Sequence, residues 1–218
     1  MVALDVSDLD RAEQMARVVA PHVGLVKVGL ELLSSHGPEA IRRLRTIAPV
    51  FLDVKLHDIP TTVERASRNY ARLGVAMLTV HALGGERMVA AAVRGAARGA
   101  RDGGCAVPLV AAVTVLSSLA GEGLASPASL AYEARAAGAT AVVVSGEDVA
   151  SVRDVMGEDF CLVVPGIRPA GSDGHDQIRV TTPQEAVEAG ADFLVVGRPI
   201  TDSPDPGGAA RAILSSIR

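Results

Sequence analysis

The chain has 218 residues, 49% of them hydrophobic, enough to bury a sizeable core within a single domain spanning 1–218. A formal net charge of -4 with dispersed arginines leaves no basic stripe, which argues against nucleic acid or a membrane surface as a partner. Aromatic residues make up only 2% and Trp is absent, so the core must be built from Val, Leu, Ile and Ala, the residues that fill parallel-strand interiors.

Short apolar runs rich in β-branched residues recur along the chain with helical patterns between them. Strands are predicted at Val2–Asp5, Leu25–Val28, Val50–Val54, Ala76–Val80, Leu109–Val113, Ala141–Val144, Leu162–Val164 and Phe193–Val196. Eight strands spaced by one βα unit each imply an α/β fold with a parallel sheet, closed as a (β/α)₈ TIM barrel. Ala137-Gly138-Ala139-Thr140 and Ala189-Gly190-Ala191-Asp192 each precede a strand, and glycine there supplies a left-handed helix stop. Thr61-x-x-Glu64 and Thr182-Pro183-Gln184-Glu185 read as capping boxes, and Ser126-Pro127 as a cap followed by proline. Ser7-Asp8-Leu9-Asp10 reads as a helix start, and a final helix is expected from about Asp205. Pro165 to Thr181 has neither periodicity and is rich in Gly, Pro and Asp, which at that length suggests a functional lid. Cys105 and Cys161 lack metal-site spacing and are expected to be buried small hydrophobes in a reducing cytosol. The apolar runs are strand-length, so no membrane span or signal peptide is expected, and the expected localisation is cytoplasmic.

In a barrel, polar residues at the C-terminal ends of strands face the active-site mouth. Those ends carry Asp5, Lys27, Asp53 with Lys55, His81, Ser117 and Ser118, Ser145, Pro165-Gly166 and Gly197-Arg198. Of the 21 basic side chains only Lys27 and Lys55 are lysines. Arginine cannot replace lysine where an ammonium must give up a proton, so the two lysines are candidates for chemistry. In Phe51–Val63, FLDVKLHDIPTTV, Asp53 and Lys55 lie two residues apart on one strand face, and Asp58 follows before Ile59-Pro60 turns the chain. Flanked by Asp53 and Asp58, the Lys55 ammonium is held protonated and could donate a proton or stabilise a carbanion; a structural ion-pair network at the rim is the alternative. Asp5 is either a ligand group or a turn residue. Gly197-Arg198, with Gln177 in the long loop, suggests a phosphorylated ligand. His57, His81 and His175 are read as hydrogen-bonding or packing groups, and Glu31 and His36 as solvated helix residues. No His/Asp/Glu set converges as a metal site except around lysines, which would repel a cation.

Asp53-Val54-Lys55-Leu56-His57-Asp58-Ile59-Pro60-Thr61-Thr62-Val63 resembles the DxKxxDIPxT signature of the orotidine 5'-phosphate decarboxylase family. The resemblance extends in order through Leu4-Asp5, Val26-Lys27-Val28-Gly29, Val80-His81-Ala82, Val113 to Ser118, Pro165-Gly166-Ile167-Arg168-Pro169 with Asp176-Gln177, and Val196 to Thr201. It implies a homodimeric barrel that converts orotidine 5'-monophosphate to uridine 5'-monophosphate and carbon dioxide, the last step of de novo pyrimidine synthesis, without metal or organic cofactor. By the same resemblance Asp5 and Lys27 hold ribose hydroxyls, and Asp53, Lys55 and Asp58 form the charged catalytic array. Asp58 and Thr62 enter the neighbouring subunit's site. Ser118 contacts the pyrimidine, Pro165 lines the base pocket, Arg168 belongs to the closing loop, and Gln177, Gly197 and Arg198 hold the phosphate. The chain departs from some members in lacking a segment before the first strand and in having Ala170 where they carry Gln.

Two rival readings differ at identifiable positions. Magnesium-dependent sugar-phosphate lyases of the same superfamily share the DxKxxD core, but carry Glu on the second strand where this chain has Lys27, and lack the Ile-Pro-x-Thr continuation. A non-catalytic barrel that binds a phosphorylated ligand would not need the full Asp53, Lys55 and Asp58 set.

Overall fold

In a computed structural model, which describes residues 1–115, 126–169 and 181–217, eight parallel strands follow one another around a sheet in chain order. They are β1 (Val2–Ala3), β2 (Val26–Val28), β3 (Val50–Leu56), β4 (Met77–His81), β5 (Leu109–Val113), β6 (Ala141–Val143), β7 (Cys161–Val164) and β8 (Phe193–Leu194). A parallel bridge from Val2 to Val196, just beyond β8, returns the sheet to β1, giving the expected TIM barrel. All eight predicted strands are present in the expected places.

Alternation along the strands sorts side chains into two layers. Ala3, Phe51, Met77, Ala111, Ala141, Val163 and Val195 fill the barrel interior. Val2, Val26, Val28, Val50, Leu52, Leu78, Val80 and their like face the surrounding helices. Lys27 pairs in register with both Ala3 and Phe51, so it stands on the interior-facing side of β2, level with apolar neighbours.

The helices are α1 (Leu9–Val19), α2 (Leu30–His36), α3 (Pro38–Leu44), α4 (Pro60–Ala71), α5 (Gly85–Gly103), α6 (Pro127–Ala136), α7 (Val149–Met156), α8 (Pro183–Glu188), α9 (Arg198–Thr201) and α10 (Pro206–Ser216). Asp8, Ser126 and Asp205 accept backbone N–H bonds as N-caps of α1, α6 and α10, and Thr182 with Glu185 forms the expected capping box. The box expected at Thr61 and Glu64 does not form. Proline favours the first helical position, so Pro60 starts α4, Ile59 becomes the N-cap and Thr61 is already inside the helix. Gly138 and Gly190 have φ of 92° and 104°, the helix stops expected before β6 and β8. Cys105 and Cys161 are free thiols, half-buried rather than enclosed as expected.

Helices α4 and α5 approach unusually closely, and the sequence of α5 shows why. Gly95, Gly99 and Gly103 recur every four residues, opposite the carbonyls of Glu64, Arg68 and Arg72 on α4. A Cβ on these glycines would lie 2.1, 2.1 and 2.5 Å from those oxygens. Glu64 flanks the seam by pairing with Arg94 at 3.2 Å and Arg98 at 2.6 Å, and Arg68 pairs with Asp102 at 2.6 Å. These pairs are solvated and add little; the backbone approach sets the geometry. It fixes α4, whose first turn continues directly from Asp58. A Gly99→Ala substitution is expected to push α4 and α5 apart and destabilise the fold by about 1–3 kcal/mol, the usual cost of overpacking. Thermal unfolding of this variant against exposed Ala97→Ser, which should differ from the parent by less than about 0.5 kcal/mol, measures the effect.

Candidate active site

At the C-terminal ends of the strands lies a cavity of about 700 Å³, lined among others by Asp5, Lys27, Asp53, Lys55, Pro165, Arg168, Gly197 and Arg198. Its walls between the charges are apolar: Phe51, Val113, Val143 and Val195 continue the barrel interior upward. A volume of this size suits a mononucleotide-sized ligand.

The charged groups form a chain of alternating sign. Lys27 Nζ donates to Asp5 Oδ1 at 2.8 Å and lies 3.7 Å from Asp53 Oδ2. Lys55 Nζ donates to both oxygens of Asp53, each at 2.9 Å. The Lys27 and Asp53 side chains are only 10% and 14% exposed, so their charges have to compensate one another. Burial alone would raise the Asp53 carboxyl, but the Lys27 and Lys55 ammonium charges, with hydrogen bonds from Lys55 and Thr79, outweigh it and hold the group below the ordinary value of 3.8. Gly29 leaves room for the pair beside it, since a Cβ there would sit 2.9 Å from Asp5 Oδ1 and 3.1 Å from Lys27 Nζ.

Simple alternation along β3 does not deliver Lys55. The β3–β4 register runs Phe51 to Met77 and Leu52 to Leu78, then resumes at Leu56 to Val80. Four residue steps on β3 thus match two on β4, and within this bulge Lys55 takes a left-handed backbone with φ of 47°. Such a conformation costs a non-glycine residue about 1–3 kcal/mol and persists only where its surroundings enforce it. Thr79 is one enforcer: its Oγ1 accepts the Lys55 backbone N–H at 2.8 Å and donates to Asp53 Oδ1 at 3.0 Å. Thr79 was not among the expected site residues. The sequence offered only a hydroxyl in the otherwise apolar run Met77-Leu78-Thr79-Val80, without its partners; the structure buries it fully, two residues from inward-facing Met77.

Arg168 is 7% exposed, donates through Nη1 to the carbonyl of Ile167, and has no partner for Nε among the described residues. Burial, and then the charge of Arg198, push its guanidinium down from its ordinary value. Two guanidiniums that disfavour each other, at the mouth of α9 and beside Gly197, make this end of the cavity suited to an anion. Glu31, expected as a solvated helix residue, is exposed but also lines the rim, as does Arg11.

Asp58 and Thr62 do not join this cluster. Both are exposed; Asp58 Oδ1 accepts the Ile59 N–H at 2.6 Å, and among the described residues it makes no ion pair with Lys55. Ser118 and Gln177, like Asp176, His175 and Ala170, lie outside the described residues. No group of three or more His, Cys, Asp or Glu that could hold a metal occurs among the described residues, and none of their helices is long and apolar enough to cross a membrane.

The family model described as "Orotidine 5'-phosphate decarboxylase / HUMPS family" matches residues 1–213. A protein of Anaeromyxobacter sp. (strain K) named orotidine 5'-phosphate decarboxylase is 53% identical over 99% of this chain and 96% of its own length. One of the same name from Thermobifida fusca is 48% identical over 100% of this chain and 94% of its own. The crystal structure of orotidine 5'-phosphate decarboxylase from Lactobacillus acidophilus superposes with a TM-score of 0.86 at 36% identity, covering 100% of this chain and 97% of that one.

Two outcomes follow from the geometry of Asp53. A carboxyl held low in the folded state contributes stability that is complete above its unfolded value of 3.8 and is lost as pH falls from there through the lowered folded value. Acid unfolding of Asp53→Asn should therefore depend less on pH below about 4 than that of the parent, read by circular dichroism along a pH series. Thr79→Val should cost about 1–3 kcal/mol in urea unfolding, because it strands the Lys55 N–H and one Asp53 bond.

Proposed function

Since this chain belongs to the orotidine 5'-phosphate decarboxylase / HUMPS family, we propose that it decarboxylates orotidine 5'-monophosphate to uridine 5'-monophosphate in pyrimidine synthesis. It does so as a single barrel domain over residues 1–218, paired as a cytoplasmic homodimer. The observation that carries this reading is the Lys55 ammonium, bound through both oxygens of Asp53 inside the cavity with Lys27 on the other side of the same carboxylate.

The chemistry assigns each member a task. Cleavage of the bond from C6 to the carboxylate releases carbon dioxide and leaves the electron pair on C6. Lys55 stabilises that charge as a nearby cation, then transfers an Nζ proton to C6 and is reprotonated from water. Asp53 orients the ammonium and faces the departing carboxylate. Asp5 and Lys27 hold the ribose hydroxyls, Pro165 lines the base pocket with Ser118, and Arg168, Gln177, Gly197 and Arg198 serve the phosphate end. Phosphate binding far from C6 contributes to the rate by helping to assemble the site around the transition state.

The donor set favours a reaction without metal. Asp53 is flanked by two ammonium groups, and a divalent cation placed on it would meet both charges. A magnesium-dependent sugar-phosphate lyase would need an acidic ligand at the position of Lys27. The exposed run Asp58, Ile59 and Thr62, with Ile59 67% exposed, supports a role on a partner subunit.

The reading predicts loss of orotidine monophosphate absorbance with purified protein in excess chelator, a result neither rival reading allows. Lys55→Ala should reduce kcat by at least about a thousandfold, since both the cation and the proton source are removed; near-native turnover would sink the assignment. Mixing dimers of Lys55→Ala with dimers of Asp58→Ala should restore part of the activity if Asp58 serves the opposite subunit.

A further inference from the structure

The bulge that carries Lys55 has two ends, and Thr79 holds only the first. At the second, β3 regains register where Leu56 pairs with Val80, and the next residues, His57 and His81, stack with ring centroids 5.2 Å apart and 29° between planes. The two histidines are not alike. His81 ends β4 and its backbone is fixed by pairing with Val113 of β5. His57 is exposed and begins the turn to Asp58 and α4. The Ala82–Gly84 turn is also close, since a Cβ on Gly84 would come within 3.3 Å of His57 Cδ2. The His57 ring is therefore stacked on His81 and has its Cδ2 edge near Gly84. Neither histidine is among the residues lining the cavity.

We propose that His81 is a positioning residue, and that its stack on His57 locks the far end of the bulge so that Lys55 is held against Asp53. This rests on the decarboxylase reading for its catalytic consequence, but not for its structural one. Three further observations fit. Lys55 occupies a left-handed backbone that must be imposed from outside, and the stack lies two residues from it. His81 Nδ1 is buried with no partner among the described residues, a polar cost that a residue of purely packing value would not carry. Burial first, then the His57 and Lys55 side chains, lower the His81 imidazole from its ordinary value, which disfavours a further positive charge close to the Lys55 ammonium.

The presence of only two lysines in the chain provides a direct test. With ¹³C-lysine labelling, the ε-methylene signals of Lys27 and Lys55 are two resonances, assigned with Lys27→Arg. His57→Ala should displace the Lys55 signal more than that of Lys27, while His57→Phe, which keeps a ring against His81, should leave both near their parental positions. In the decarboxylation assay His57→Ala should lower kcat about tenfold, the scale of one withdrawn aromatic contact. KM should stay within about twofold, because the phosphate and ribose groups are untouched, and His57→Phe should regain most of the rate. An unmoved Lys55 signal in His57→Ala, or equal losses in the Ala and Phe variants, would overturn the proposal, as would a change confined to KM. If the parent protein itself showed no turnover, the decarboxylase reading would fail, and the lysine signals would still decide the role of the stack.

Discussion

A carboxylate between two ammonium groups is the constraint on which this site depends. Asp53 is mostly buried, and an isolated charge there would be neutralised by its surroundings rather than tolerated. Lys27 on one side and Lys55 on the other hold it ionised, and Asp5 completes the row by accepting a hydrogen bond from Lys27. The four groups cancel in charge while each remains directed into the cavity. The barrel provides the walls for this arrangement: an interior layer of Ala, Val, Phe and Met beneath it excludes water from below and lowers the local dielectric, which strengthens each pairing.

The second theme is that the charged row is held by a departure from regular structure. A regular strand would carry Lys55 along the β4 ladder; instead β3 inserts two extra residues and turns Lys55 into a left-handed conformation. The hydroxyl of Thr79, placed by the neighbouring strand, answers both the freed backbone N–H and the carboxylate. One small polar side chain thereby couples backbone strain to side-chain electrostatics. The glycine seam between α4 and α5 extends the same logic outward, because it sets the position of the helix that begins two residues after Asp58.

How much of this was legible beforehand differs by element. The eight strands could be read because each is a short β-branched run bounded by turn residues, and one face or the other is always buried. The candidates Asp5, Lys27, Asp53, Lys55, Pro165, Gly197 and Arg198 were also legible, since strand ends of a barrel converge on one mouth whatever the details of register, whereas Arg168 came only from the family resemblance. Thr79 was not, because a threonine inside a strand carries no mark of its partners, which come from β3. The expected box at Thr61 failed for a local reason, proline's preference for the first helical position outranking the threonine pattern. Asp58 illustrates a different limit: its place beyond the turn was readable, but one chain alone turns it to the surface and away from Lys55.

The amino-acid sequence by itself determined the parallel-barrel architecture, the family and the identity of the charged residues at the mouth, because these follow from periodicity, turn chemistry and a motif contiguous along the chain. Only the tertiary structure decided how Asp53 and Lys55 meet. Their contact involves a bulge whose register is defined by β4 and a hydroxyl donated by Thr79. Each of those is a relation between segments more than twenty residues apart, and no local pattern in Phe51–Val63 encodes it.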